Sequence, residues 1–240
     1  MREFLKPVAA VHPQPADPTS ARYVRSYLIM RTLVGALAIA LPFVLVLVDG
    51  LSFDGDPFPR TSLSAYYYSG ARELFVGGLS AVGVFLITYK VAEANLDNTL
   101  SLLAGIAVLV VAQFPPGRPT RLVGPTPLQD LFGESVVGVI HFTAAATFIM
   151  SLAALSYYFG WREGARPPVA GRRSPRFWQR YHWICAGIIV AALAWCAITL
   201  LSDWGPSRAL LYGEAVAVWA FGASWLWKGL ELDMLRGGTA

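Results

Sequence analysis

The chain has 240 residues, of which 55% are hydrophobic and only 14% charged, with a formal net charge of +4. Soluble domains carry about 25% charged residues, and here the apolar residues fall in long runs rather than alternating with polar ones, which excludes an ordinary soluble domain. The basic residues crowd into segments flanking those runs, a pattern that speaks for membrane topology and against nucleic-acid binding.

Residues 1–26 are polar and punctuated by Pro7, Pro13, Pro15 and Pro18. No short apolar core with a small-residue cleavage site precedes the first long apolar run, so a retained cytoplasmic tail is expected and not a signal peptide. Runs near the ~20 apolar residues that cross a bilayer follow at about 27–48, 72–89, 99–114, 134–158, 181–201 and 209–230. The expected fold is an all-α polytopic membrane bundle of six transmembrane helices over residues 27–230, with a second cytoplasmic tail over 231–240. Pro42 should kink or loosen the first span. Gly77, Gly78, Ala81 and Gly83 give the second a small-residue face for close helix contact. Pro115 and Pro116 stop the third. Cys185 and Cys196 lie eleven residues apart in the fifth, about 16 Å along a helix, too far to form a disulfide with each other.

Counting Lys and Arg sets the orientation. With the amino terminus inside, Arg2, Lys6, Arg22, Arg25, Arg31, Lys90, Arg162, Arg166, Arg172, Arg173, Arg176, Arg180, Lys228 and Arg236 are internal. Only Arg60, Arg72, Arg118, Arg121 and Arg208 are external, so both termini are expected in the cytoplasm. Trp161, Trp178, Trp183, Trp204 and Trp225 fall near span ends, where interfacial anchors belong. The basic connection from Trp161 to Arg180 is expected at the inner surface, where each nearby cation would attract anionic lipid by about 1 kcal/mol.

Ionisable residues inside spans are costly and point to function by default. Arg72 and Glu73 begin the second span. Glu134 and His141, seven apart, share one face of the fourth. Glu214 lies over one turn into the sixth, and Gln113 ends the third. All fall in the outer half of the bilayer in this topology, so Arg72, Glu73, His141 and Glu214 are expected to converge. Ser64, Tyr66, Tyr67, Tyr68 and Ser69 would form the rim of a pocket open to the outer leaflet. The alternative is purely structural: Arg72 paired with Glu73, Glu134 or Glu214 to lock helices together, with the tyrosines as an aromatic belt.

Motifs for chemistry are sparse. HExxH, paired-cysteine zinc spacings, GxSxG and the P-loop are all missing. His141 with Glu73 and Glu214 is a weak candidate for a metal site, and no metal is expected. Intramembrane metal hydrolases that attack lipid amides or esters need several membrane histidines, whereas this chain has His141 in mid-span and His182 at an inner helix end. No span carries a polar stripe along its whole length, and no half-to-half repeat marks a secondary transporter.

Four stretches carry a resemblance: SLSAYYYSGARELFVGGLSAVGVFLITYK, AGIAVLVVAQFP, HFTAAATFIMSLAALS and GEAVAVWAFGASWLWKG. Their order resembles the broad six-span family of the DRAM autophagy modulators, the Frag-type proteins of GPI-lipid remodelling and the Sfk proteins, and most of all its bacterial members. In that family a polar entry leads the second span, a histidine opens the fourth and a glutamate stands early in the sixth. Arg72-Glu73, His141 and Glu214 occupy those places. The resemblance implies residence in a membrane, here a bacterial cytoplasmic membrane, and a lipid-related role. It supplies no cofactor, reaction or protein partner. The functional expectation is a protein that binds or organises membrane lipid through the outer-leaflet pocket. The alternatives are an intramembrane enzyme acting on a lipid headgroup or acyl chain, and a structural partner subunit.

Overall fold

In hydrocarbon a backbone can satisfy its N–H and C=O groups only within itself, which makes the helix the default for a lipid-facing segment. The computed structural model describes residues 18–52, 58–88, 96–168, 173–202 and 205–230, with side chains from Ile29 to Trp227. The described residues form helices and connecting turns, with no strand among them. The long helices are α1 (Pro18–Leu51), α2 (Arg72–Thr88), α3 (Leu96–Gln113), α5 (Glu134–Gly164), α6 (Pro175–Ser202) and α7 (Ala209–Leu230). A short α4 (Pro127–Phe132) precedes α5, and a 3-10 turn covers Ser64–Tyr68.

Among the described residues, five segments are long and apolar enough to cross a membrane: Ile29–Leu51, Leu96–Gln113, Glu134–Gly164, Pro175–Ser202 and Ala209–Trp227. The chain is therefore all-helical with the character of a multi-pass membrane protein. Of the six expected spans, α2 falls just short of that length at 17 residues. Other bounds also differ from expectation. α5 continues to Gly164 and α6 begins at Pro175, so both ends of the basic connection are helical. α1 runs unbroken across Pro42, although proline has no N–H to offer the carbonyl of Ala38.

The helices form a closed ring in the order α1, α2, α3, α5, α6, α7, with α5 also touching α7. Small residues set the close approaches. At Gly105 of α3 a Cβ would sit 2.7 Å from the Gly83 carbonyl oxygen of α2, and at Gly35 of α1 one would sit 2.5 Å from Leu226 of α7. The expected small-residue face of α2 is only partly used: Gly78 meets Leu41 and Gly83 meets Leu109, while Gly77 has nothing within 4 Å. Large apolar side chains such as Leu47, Val139 and Ile184 project outward, as lipid-facing residues do.

Two apolar cores stack along the bundle. One, toward the α5–α6 connection, gathers Leu86, Leu152, Phe159, Ile189 and Trp225. The other, toward the 58–71 loop, gathers Leu45, Tyr66, Phe75, Val111 and Leu211. Trp225 is only 1% exposed, so it is a core residue and not an interfacial anchor. Its indole N–H donates to the Arg31 carbonyl at 2.9 Å, and the Arg31 guanidinium stacks over both Trp225 and Phe159. Arg31, expected as a topological charge, is thus buried. Trp204, Lys90, Arg172, Lys228 and Arg236, together with residues 1–17, lie outside the residues or side chains described.

Candidate functional site

The 58–71 loop turns back into the end of the bundle and plugs it. Asp49, at the end of α1, is 1% exposed and receives both Nε (2.7 Å) and Nη2 (3.2 Å) of Arg60, and also the N–H of Gly70 (3.2 Å). A Cβ at Gly70 would fall 2.3 Å from Ser52 Oγ, so the fold needs glycine there. The far side of the loop is tied to α7: Arg208 Nε donates to the Pro59 carbonyl at 2.6 Å, and the N–H of Leu211 donates to the Thr61 carbonyl at 3.0 Å. Between these ties the 3-10 turn drops Leu63 and Ser64 into the bundle. Irregular backbone at such depth is tolerated where protein surrounds it.

Two of the expected residues meet this plug at adjacent positions. Glu214, about 7.5 Å into α7, accepts the N–H of Leu63 through Oε2 at 2.5 Å. His141, about 10.5 Å into α5 and 1% exposed, bonds through Nδ1 to the Phe114 carbonyl oxygen at 2.6 Å and through Nε2 to Ser64 Oγ at 2.9 Å. A carbonyl oxygen only accepts, so Nδ1 carries a proton. The neutral ring then presents its Nε2 lone pair to the Ser64 hydroxyl, which donates.

The remaining expected residues are placed elsewhere. Arg72 pairs with none of Glu73, Glu134 or Glu214. It donates through Nη2 to the Tyr67 hydroxyl at 2.8 Å, and its guanidinium stands 4.4 Å from the centre of that ring. Helical geometry accounts for this: residue 72 starts α2 on its outward face, beside the tyrosine turn and away from the ring interior. Glu73 and Gln113 are exposed. Glu134 binds Arg118, accepting its backbone N–H at 2.7 Å and its guanidinium at 2.9 Å. The Tyr66 hydroxyl accepts the Arg60 N–H at 3.3 Å. Tyr68 donates to the Pro116 carbonyl and receives Gln129 Nε2, both at 2.9 Å, while desolvation on burial pushes its phenol above the ordinary tyrosine range. Gln129 is fixed by a capping box with Thr126 at the start of α4, and Gly133, at φ +86°, makes the turn into α5 that a side chain would strain.

A cavity lies directly beneath Ser64 and Glu214. It is walled by α1, α2, α3, α5 and α7 through residues such as Leu45, Phe75, Val108, Phe148 and Phe221. Its volume is about 80 Å³, and it is open on one side. Pro42 lines it as well. Glu214 devotes one oxygen to the Leu63 N–H, and its carboxyl group borders the cavity. The weak metal reading with Glu73 and Glu214 meets a ring whose two nitrogens are both engaged, and the described residues contain no group of three potential metal ligands.

No protein-family model, curated protein or solved structure matches the chain.

Sequence reasoning missed the polar cluster at the opposite end. Asp97 of α3, 1% exposed, accepts Arg162 of α5 at 2.5 Å. Glu163 pairs with Arg166 at 3.0 Å. His182 is buried with Nδ1 2.8 Å from Ser224 Oγ. The residues of this cluster lie near the ends of apolar runs, Asp97 at the start of α3 and Arg162, Glu163 and Arg166 at the end of α5. The backbone partners Leu63 and Phe114 carry no sequence signal at all.

Proposed function

We propose that this protein binds a membrane lipid in the cavity under the 58–71 plug, with the apolar tail among the five helices and the polar end at Ser64 and Glu214. The observation that carries this is a cavity of about 80 Å³ walled by apolar side chains of five helices and bordered at one end by Ser64 and the Glu214 carboxyl group. Ligand sites place a few polar groups on an apolar wall, and the lining of this cavity has that character.

In this reading α2 is the sixth span. Its 17 residues reach about 26 Å, close to the ~30 Å hydrocarbon core, and it packs between α1 and α3. The Lys/Arg asymmetry puts the plug outside and both termini in the cytoplasm of a bacterial membrane. The order of polar entry, histidine and glutamate over α2, α5 and α7 supports kinship with the six-span family of DRAM, Frag-type and Sfk proteins, and hence a role connected with lipid.

Lipid co-purifying with the protein in mild detergent tests the reading. Ala145→Phe fills the cavity wall, and Glu214→Gln alters its polar end. Native mass spectrometry should show bound lipid on the wild type and several-fold less on both variants, with the melting transition retained. Equal lipid on all three would reject the cavity as the site and favour a structural partner subunit. The Ser64–His141 hydrogen bond favours a second reading, an intramembrane enzyme acting on an acyl chain.

A further inference from the structure

Hydrogen-bonded serine and histidine side chains serve two purposes in proteins, as structural ties and as activated nucleophiles. A nucleophilic pair needs the hydroxyl within hydrogen-bond reach of the base, the base oriented by a third group, and the hydroxyl open to substrate. Ser64 and His141 meet the first two, and Ser64 is among the residues that border the cavity. The Oγ–Nε2 distance is 2.9 Å, and the Phe114 carbonyl fixes the far nitrogen at 2.6 Å in the tautomer a general base requires. Ser64 lines the cavity, whereas His141 is packed behind it. Glu214 holds the adjacent Leu63 N–H, which sets the turn from which Ser64 projects.

We propose that Ser64 and His141 are the nucleophile and general base of an acyl transfer from an ester lipid held in the cavity. The inference rests on the lipid-binding reading of the same site. In the first step Ser64 Oγ attacks the ester carbonyl carbon while Nε2 of His141 takes the hydroxyl proton. The ester C–O bond then breaks, and the leaving alcohol receives that proton from Nε2. The acyl chain remains as an ester on Ser64, lying in the apolar cavity. In the second step a hydroxyl acceptor, either water or the hydroxyl of a second lipid, gives its proton to Nε2 and attacks the acyl carbonyl. Ser64 leaves and recovers the proton. No redox change occurs. Glu214 is a positioning residue for the turn and touches no reacting atom in this scheme.

The test uses the full chain in nanodiscs of phosphatidylethanolamine and phosphatidylglycerol and an alkyl fluorophosphonate, which reacts with activated serines by loss of fluoride. Peptide mapping should place the adduct on Ser64. Ser64→Ala should abolish it, and His141→Gln should slow it by about 10²–10⁴-fold, the usual contribution of a positioned base. If His141→Gln does not fold, Ser64→Cys keeps the question open to measurement. Its alkylation should plateau at a pH below the ordinary thiol range near 8.5, because the imidazole stabilises the thiolate. An ordinary thiol profile, or a folded wild type that forms no adduct at Ser64, overturns the pair. Lipid retained on that unreactive wild type leaves lipid binding standing, and loss of both removes the two readings together. With a labelled ester lipid, free fatty acid identifies water as acceptor and a newly acylated lipid identifies a second lipid. Neither product from folded protein rejects the transfer.

Discussion

Asp49 shows how a single carboxylate organises a loop. It terminates α1, and three donors converge on it from Arg60 and Gly70, so the 58–71 plug closes on one buried anion. Hydrogen bonds to a charged group contribute roughly 1.5–3 kcal/mol each. Asp49→Asn keeps the shape but loses the charge, and should lower stability by about 1.5–3 kcal/mol in a thermal or denaturant titration. Arg60 is partly exposed and water would take over part of its solvation, which keeps the loss below the full value of a buried pair. An unchanged transition would mean that the plug is held by Arg208 and Leu211 instead. Arg72 teaches a complementary lesson. It stands one residue before Glu73 and, at the start of α2, within about 7.5 Å of the depth of Glu214, yet it turns to the face of Tyr67. Depth is set by the count of residues along a helix, but direction is set by rotation about its axis, and only packing against neighbours fixes that rotation.

At the scale of the element, helix contacts without a hydrophobic driving force depend on shape. α2 and α3 touch backbone to backbone at Gly83 and Gly105. Gly105→Ala should therefore force the helices apart and cost about 1–3 kcal/mol, the usual range for overpacking. Gly77 of α2 meets nothing within 4 Å, so Gly77→Ala should be neutral or stabilise by up to about 1 kcal/mol through helix propensity. Melting the two variants side by side checks both signs. If they behaved alike, the interface would not be the cause. The small-residue pattern of α2 was legible in the sequence. Which of its glycines face α3 was not, because four small residues within seven positions cover almost two turns and so nearly all sides of a helix.

At the scale of the whole molecule, the arrangement leaves one end of the bundle sealed by a tyrosine-rich plug and the other rich in paired charge. The proposed topology, from the Lys/Arg asymmetry, has the plug outside. Leu122 is 96% exposed in the connection at the plug end, and Ser174 lies exposed just before α6 at the other. In intact cells Leu122→Cys should react with an impermeant maleimide, and Ser174→Cys should react only after permeabilisation. The wild type serves as the blank, since Cys185 and Cys196 lie within α6. The reverse pattern would invert the bundle and move the Ser64–His141 pair to the inner leaflet.

The sequence by itself determined the helical class, the membrane character and the approximate positions of the long helices. Hydrophobic length is a local property, and a backbone in lipid has few alternatives. It also singled out His141 and Glu214, because polar groups inside apolar runs are conspicuous, and named Ser64 as one of several residues on the rim of a pocket. The tertiary structure decided their partners. His141 meets Ser64 across 77 positions and Glu214 meets Leu63 across 151, through a loop whose path depends on the Asp49–Arg60 clamp and the ties to α7. Half of those contacts are to backbone N–H and C=O groups, which every residue possesses and no sequence distinguishes. The buried pairs at Asp97 and Glu163 were hidden for a related reason. Whether a charge near a helix end meets water or a neighbouring helix depends on how far that neighbour extends, and α5 and α6 extend well beyond their apolar runs.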